Sequence, residues 1–207
     1  MTEIEKLQKK ESKKVLYEYQ KNDIDSIFDR LNNAIPNYHL LYQLPTGGGK
    51  TVIFSEITRR YIEKFGKKVM VLTHRIELCK QTSKMLQGFD VKNKVINSSI
   101  KELPDQDEYQ CFVAMIETLK NRLNDEKLEI DDVGLVIIDE AHFNSFRKLF
   151  SSFKNSFILG VTATPLSSNI KLPMYQNYHE LIVGDTIQNL IDKQFLAKAT
   201  TYSYDVG

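Results

Sequence analysis

Of 207 residues, two are cysteine and none is tryptophan. No unbroken apolar run approaches the roughly 20 residues that a bilayer-spanning helix needs, so no membrane partner is expected. Cys79 and Cys111 stand far apart, each inside an apolar segment. They read as two buried thiols rather than as a disulfide or a metal pair, which suits a reducing cytoplasm. Charge of one sign is also missing: 28 Lys and Arg against 27 Asp and Glu leave a net charge of +1. Bulk charge therefore does not announce a polyanion binder. Repeats and low-complexity tracts are absent, and the polar opening MTEIEKLQKK does not read as a secretory signal. What remains is an ordinary globular composition, 42% hydrophobic and 27% charged, with a length that suits one α/β domain and a sizeable core.

Residues 1–14 read as a polar N-terminal extension and 15–207 as the domain. Within it, strand-like and helix-like patterns alternate. Strands are expected near 39–44, 69–73, 94–97, 111–115, 134–138, 157–161 and 198–204. Helices are expected near Tyr19–Asn33, Thr51–Phe65, Glu77–Gln87 and Asp185–Asp192. Alternation of this kind predicts a mostly parallel sheet covered by helices on both faces, with ligands at the carboxyl ends of the strands. Leu166 to Tyr178, with its Ser, Asn and Pro residues, reads as an exposed loop.

Three segments carry chemistry. In Leu44-Pro45-Thr46-Gly47-Gly48-Gly49-Lys50-Thr51, three glycines join the strand YHLLYQL to a helix. Their backbone can approach phosphate oxygens at the positive end of that helix, Lys50 can reach the outer phosphates, and the Thr51 hydroxyl suits Mg²⁺. Leu44 stands where the general pattern has another glycine; the alternative is a plain Gly-rich turn. In the second segment, Asp139-Glu140-Ala141-His142 follows the apolar run VGLVII. Adjacent carboxylates at the end of a buried strand are costly unless a cation or a proton task holds them. Asp139 would hold Mg²⁺ through its water shell, and Glu140 would orient and deprotonate an attacking water. The alternative is an acidic turn at the sheet edge. The third segment is Gly160-Val161-Thr162-Ala163-Thr164-Pro165.

LPTGGGKT, VIIDEAH and GVTATP, in that order, resemble superfamily 2 helicases and translocases. The most similar branch is the type III restriction-enzyme helicase-subunit group with its XPB-like translocases, over about Leu16 to Thr201. The resemblance implies a three-layer αβα RecA-like P-loop NTPase domain. It implies ATP and Mg²⁺ as ligands, bound by Tyr17, Gln20, Thr46, Gly47, Gly48, Gly49, Lys50 and Thr51, with Asp139 as a second metal contact. LYEYQ (16–20) resembles the adenine-reading element, with Gln20 on the base edge. Tyr17 and Glu18 replace the family's Arg and Pro, so Tyr17 becomes the candidate to stack on the base. The alternative for Tyr17 and Tyr19 is two aromatics packing inward at a helix start. By the same resemblance Thr73, His74, Arg75 and Thr118 line a nucleic-acid track, although His74 alone reads as a capping or structural histidine. Glu117 stands where members often carry Gln. His142, Thr162 and Thr164 would couple the phosphate site to that track.

Seven basic residues between Arg59 and Lys80 face Glu63 and Glu77, which suits either a polyanion-steering side or a solvated helix face. The implied activity is an ATP-dependent motor on DNA or RNA, with DNA favoured. Family members carry a second RecA-like domain whose arginines reach the γ-phosphate, and this chain has no matching motif. It therefore reads as the first motor domain of a larger protein, nearly inactive as an ATPase by itself. The alternatives are the motor portion of a restriction complex and a catalytically silent nucleic-acid-binding module. Oligomeric state is not legible.

Overall fold

The computed structural model describes residues 15–97, 108–124, 132–166, 171 and 173–197. The extension 1–14, the strand expected at 198–204, and Ser167, Ser168 and Asn169 lie outside the described residues. In chain order the elements are α1 (Glu18–Asn33), β1 (His39–Gln43), α2 (Lys50–Phe65), β2 (Lys68–Thr73), α3 (Ile76–Gln87), β3 (Asn93–Ile96) and β4 (Cys111–Met115). Then follow α4 (Ile116–Asn124), β5 (Val133–Asp139), β6 (Phe157–Thr162), β7 (Glu180–Val183) and α5 (Ile187–Asp192). Two 3₁₀ segments, Asn144–Phe153 and Met174–Gln176, lie between.

The strands form one sheet in the order β3-β4-β2-β5-β6-β1-β7, every neighbouring pair parallel. Parallel strands need crossovers, and helices supply most of them, so both faces are covered. Alternate side chains of one strand therefore enter different cores. Val69 and Val71 pack with Ile53, Phe54 and Ile57 of α2. Met70 and Leu72 pack with Phe112, Ile138, Phe146 and Leu149 on the other face. Burial on both faces is why these strands read as unbroken apolar runs. Three layers result, as expected.

Some expectations need correction. The segment around Thr118 turns from β4 directly into helix α4, which the sequence reading did not include. Strand β7 also escaped it, because β7 lies at the sheet edge with Leu181 and Val183 exposed and carries little apolar periodicity. Leu166 to Tyr178 is not simply an exposed loop. Met174 and Tyr178 are buried, and Tyr178 lies over Gly160, where any side chain would collide with its ring.

Candidate functional site

Strand register brings the three chemical segments together. Gln43 at the end of β1 pairs with Thr162 at the end of β6, and Asp139 at the end of β5 pairs with Val161. Leu44 N then donates to Thr162 O (3.0 Å), and Ala141 N to Val161 O (2.9 Å). The carboxyl ends of β1, β5 and β6 are thus flush, and the loops leaving them share one edge of the sheet.

The loop after β1 is a tight turn, with Gly48 N donating to Pro45 O at 3.0 Å. Gly47 and Gly49 have φ of 85° and 83°, a region that side chains disfavour, so glycine is required at both. Leu44 is fully buried and lies directly under Gly48, where a Cβ would stand 2.8 Å from Leu44 Cγ. Its departure from the general pattern is therefore a packing choice beneath the loop. Thr46 is exposed at the loop's start, and Thr51 is half-buried in the first turn of α2. Lys50 opens α2, is buried, and donates from Nζ to Leu44 O (3.3 Å).

Asp139 is 9% exposed. Burial pushes its carboxyl up to about 6, the neighbouring Glu140 charge adds to this, and the Lys50 ammonium and the Glu140 N–H pull it back. A desolvated carboxylate facing a lysine and a glycine-rich turn fits a magnesium-bound triphosphate, whose cation would supply the missing counter-charge. The same shift costs stability. A carboxyl raised above its ordinary 3.8 binds its proton more tightly when folded. Its favourable contribution is complete below the unfolded value and is lost as pH rises through the folded one. Asp139→Asn is therefore expected to stabilise the nucleotide-free, chelator-treated protein by roughly 1–3 kcal/mol near pH 8. The gain should shrink below about pH 6 and vanish below about pH 4. Thermal melts across pH measure it; a gain that does not depend on pH would sink the account.

Glu140 has φ 54°, in the left-handed region, at a cost on the order of 1–2 kcal/mol for a non-glycine residue. Its amide donates to Asp139 Oδ1 (3.1 Å), and its carbonyl accepts from Phe143 N (3.1 Å) and from His74 Nε2 (3.3 Å). Beyond this kink, His142 Nδ1 lies 3.3 Å from Glu140 Oε2 and 3.0 Å from Thr162 Oγ1. Thr162 spends its hydroxyl hydrogen on Thr164 O (2.8 Å) and accepts from Thr164 N (3.1 Å). Nδ1 of His142 must then be the donor, which defines the tautomer and makes a directional chain from His142 to Thr162 to Thr164.

The element expected to read the base closes the other side. Gln20 is buried, and its Oε1 accepts from Tyr17 N (3.0 Å), capping α1. Its Nε2 contacts Tyr19 OH at 3.4 Å and faces Gly49. Both ends of the amide keep spare hydrogen-bonding capacity. Tyr19 OH donates to Gly48 O (2.8 Å), a tie to the loop that no sequence signal revealed, because a tyrosine beside a helix start reads as core.

The residues expected to line a nucleic-acid track divide. Arg75 is exposed at the N-cap of α3. Thr118 is half-buried in the first turn of α4. Thr73 is a correction: it is fully buried, with its hydroxyl on Arg75 O (3.2 Å) and Cys79 Sγ (2.9 Å), so its side chain does not line an open surface. His74 is half-buried against the Asp139–Glu140 turn, with its ring 4.4 Å from Phe143, which in turn lies 4.2 Å from His142. Burial holds His74 below the ordinary histidine range. These contacts suit a structural histidine. Of the basic stretch from Arg59, three residues stand in ion pairs: Arg59 with Glu56 and Glu63, Arg60 with Glu56 and Asp25, and Lys67 with Asp132.

An all-parallel three-layer sheet, with a glycine-rich loop after one strand and an acidic pair after another, defines a RecA-like nucleotide-binding domain. The chain belongs to the family described as type III restriction enzyme, res subunit, whose model matches residues 13–167. Among curated proteins, IRC3 of Saccharomyces cerevisiae is 30% identical over 200 residues, covering 89% of this chain. Among solved structures, the UvsW helicase from bacteriophage T4 superposes with a TM-score of 0.61 at 17% identity, over 81% of this chain and 59% of that one. A nuclease-deletion mutant of the type ISP restriction-modification enzyme LlaGI, in complex with a DNA substrate mimic, gives 0.66 at 16% identity, over 88% of this chain and 21% of that one. The chain spans 28% of the length of IRC3. Among the described residues, no helix is long and apolar enough to cross a membrane.

Proposed function

We propose that this chain is the first ATP-binding motor domain of a helicase or translocase that moves on nucleic acid, DNA in preference to RNA. The observation that carries the reading is the convergence of Lys50, Asp139, Glu140 and Thr162 on the flush ends of β1, β5 and β6. Gly47, Gly48, Gly49, Lys50, Thr46 and Thr51 bind the phosphates of ATP, and Gln20 and Tyr17 bind the base. Thr51 and Asp139 would hold Mg²⁺, which would supply counter-charge to the phosphates. Glu140 takes the proton of the attacking water. The kinked backbone that sets Glu140 is also the carbonyl that His74 holds, so a shift in the Arg75 loop reaches the general base within one hydrogen bond. His142, Thr162 and Thr164 form the second link. A second RecA-like domain supplies the opposing wall and its arginines, so the 207-residue chain by itself hydrolyses ATP hardly at all.

DNA as the track is supported by the DNA complex of LlaGI, a structural neighbour. A motor portion of a restriction complex is the second reading, supported by the description of the family. A catalytically silent module is disfavoured by the retained Lys50, Asp139 and Glu140. The buried free thiols Cys79 and Cys111 support a reducing compartment such as the cytoplasm.

Phosphate release by this chain and by a form joined to the second motor domain tests the reading. DNA-stimulated hydrolysis is expected only in the longer form, and brisk turnover by this chain alone would overturn the two-domain mechanism. For the track, Arg75→Ala should weaken binding to DNA of any sequence and lower the salt slope by about one unit, as one phosphate contact is lost. Fluorescence anisotropy across a salt series measures this; an unchanged slope would remove Arg75 from the track.

A further inference from the structure

The turn that follows α5 packs against the phosphate loop, about 150 residues away in sequence. Gln194 adopts a left-handed conformation (φ 62°), and the amides of Phe195 and Leu196 both return to Leu190 O, at 2.8 and 3.0 Å. That closure points two apolar side chains at the nucleotide site. The Phe195 ring lies 4.5 Å from the Tyr17 ring and 5.2 Å from Tyr19. Leu196 lies on the loop itself: a Cβ at Gly47 would stand 2.9 Å from Leu196 Cδ2. Each of the three glycines therefore has a separate neighbour: Leu196 at Gly47, the Tyr19 hydroxyl at the Gly48 carbonyl, and the Gln20 amide at Gly49.

We propose that Phe195 is a positioning residue for the nucleotide base, backing the Tyr17 ring as a stacking platform, while Leu196 in the same turn braces the phosphate loop. This rests on the nucleotide-site reading above. Tyr17 is 50% exposed and sits outside the first turn of α1. Left alone, such a side chain samples several rotamers, and a base that stacks on it must absorb the lost entropy. Phe195, tilted at 44°, is the nearer of the two rings on Tyr17, Tyr19 being stacked 6.0 Å away, and Tyr17 stays 50% exposed. The aromatic pair thus restricts the ring before any ligand arrives. The arrangement separates the two parts of a nucleotide: Phe195 acts on the base and Leu196 on the phosphates.

The test is binding of ATP and of inorganic tripolyphosphate to the intact chain, by calorimetry. Phe195→Ala should weaken ATP by about 3- to 10-fold, the scale of one aromatic pair, and leave tripolyphosphate unchanged. Leu196→Ala should weaken both alike. Phe195→Tyr should restore ATP binding. In a Tyr17→Ala background Phe195→Ala should have no further effect, since coupled residues are not additive. A merely structural Phe195 would instead weaken ATP and tripolyphosphate together, and its effect would persist without Tyr17; either result overturns the proposal, as does unchanged ATP affinity in Phe195→Ala. Phe195→Leu keeps apolar volume without an aromatic face and serves as the same test if the alanine variant does not fold. Failure of the unsubstituted chain to bind either ligand would overturn the nucleotide-site reading and this inference with it. Normal binding by the unsubstituted chain with an indifferent Phe195 would overturn this inference alone.

Discussion

Glu140→Gln, made in a form of the protein that carries both motor domains, is expected to cut DNA-stimulated ATP turnover by at least about a hundredfold and to leave ATP binding nearly intact. The amide keeps the shape of the side chain and its place on the kinked backbone, where φ is 54°. It keeps the carbonyl that accepts from His74 and the amide that donates to Asp139. What it loses is the capacity to accept a proton from water. The substitution also removes the negative charge that helps to raise Asp139 and the partner that lies 3.3 Å from His142 Nδ1. Asp139 should consequently titrate nearer its ordinary value, which favours its ionised, metal-competent form. Binding should therefore be retained or slightly strengthened while turnover collapses. Steady-state phosphate release and equilibrium nucleotide binding, measured on the same preparation, separate the two effects. Turnover that survives would mean that another group activates the water, and the role assigned to Glu140 would fall.

The second large effect is expected at Lys50. Lys50→Ala should weaken Mg-ATP binding by roughly 2–4 kcal/mol, the scale for losing a charge-assisted contact in a partly buried site. Its ammonium is buried at the start of α2, bonded to Leu44 O, and is a charge that offsets the burial of Asp139. Removing it therefore acts twice. Phosphate oxygens lose a donor, and the desolvation cost of Asp139 at neutral pH loses the charge that offsets it. The second loss should be repaired by Asp139→Asn, so the double substitution should recover thermal stability without recovering nucleotide affinity. Calorimetric titration with Mg-ATP and thermal melts of the three variants read both quantities. Equal affinity in wild type and Lys50→Ala would remove this loop from the ATP site. Loss of affinity that returned with Asp139→Asn would mean that Lys50 served only the folded state.

The chemistry-bearing segments were legible because they obey local rules. Glycine at 47 and 49 is dictated by a positive φ at each position, and that requirement shows in the residue type. Central strands announced themselves because both of their faces are buried, which leaves unbroken apolar runs such as those of β2, β4 and β5. Where burial is one-sided or partial, the signal faded. Strand β7 alternates half-buried and exposed residues, and Met174 and Tyr178 sit buried in a stretch that reads as a loop.

What the sequence by itself determined was local: a parallel α/β sheet, a glycine-rich loop after a strand, and an acidic pair at a strand end. Strand order and register, decided only in three dimensions, set Gln43 against Thr162 and Asp139 against Val161 and thereby brought those segments to one edge. Tertiary packing alone turned Thr73 inward, placed His74 on the Glu140 carbonyl, and laid Phe195 against Tyr17 and Leu196 against Gly47. The physical reason is common to all of these. A residue's backbone preference and polarity act within a few positions of the chain, whereas the partner of a side chain depends on which distant segment packing brings within about 4 Å of it.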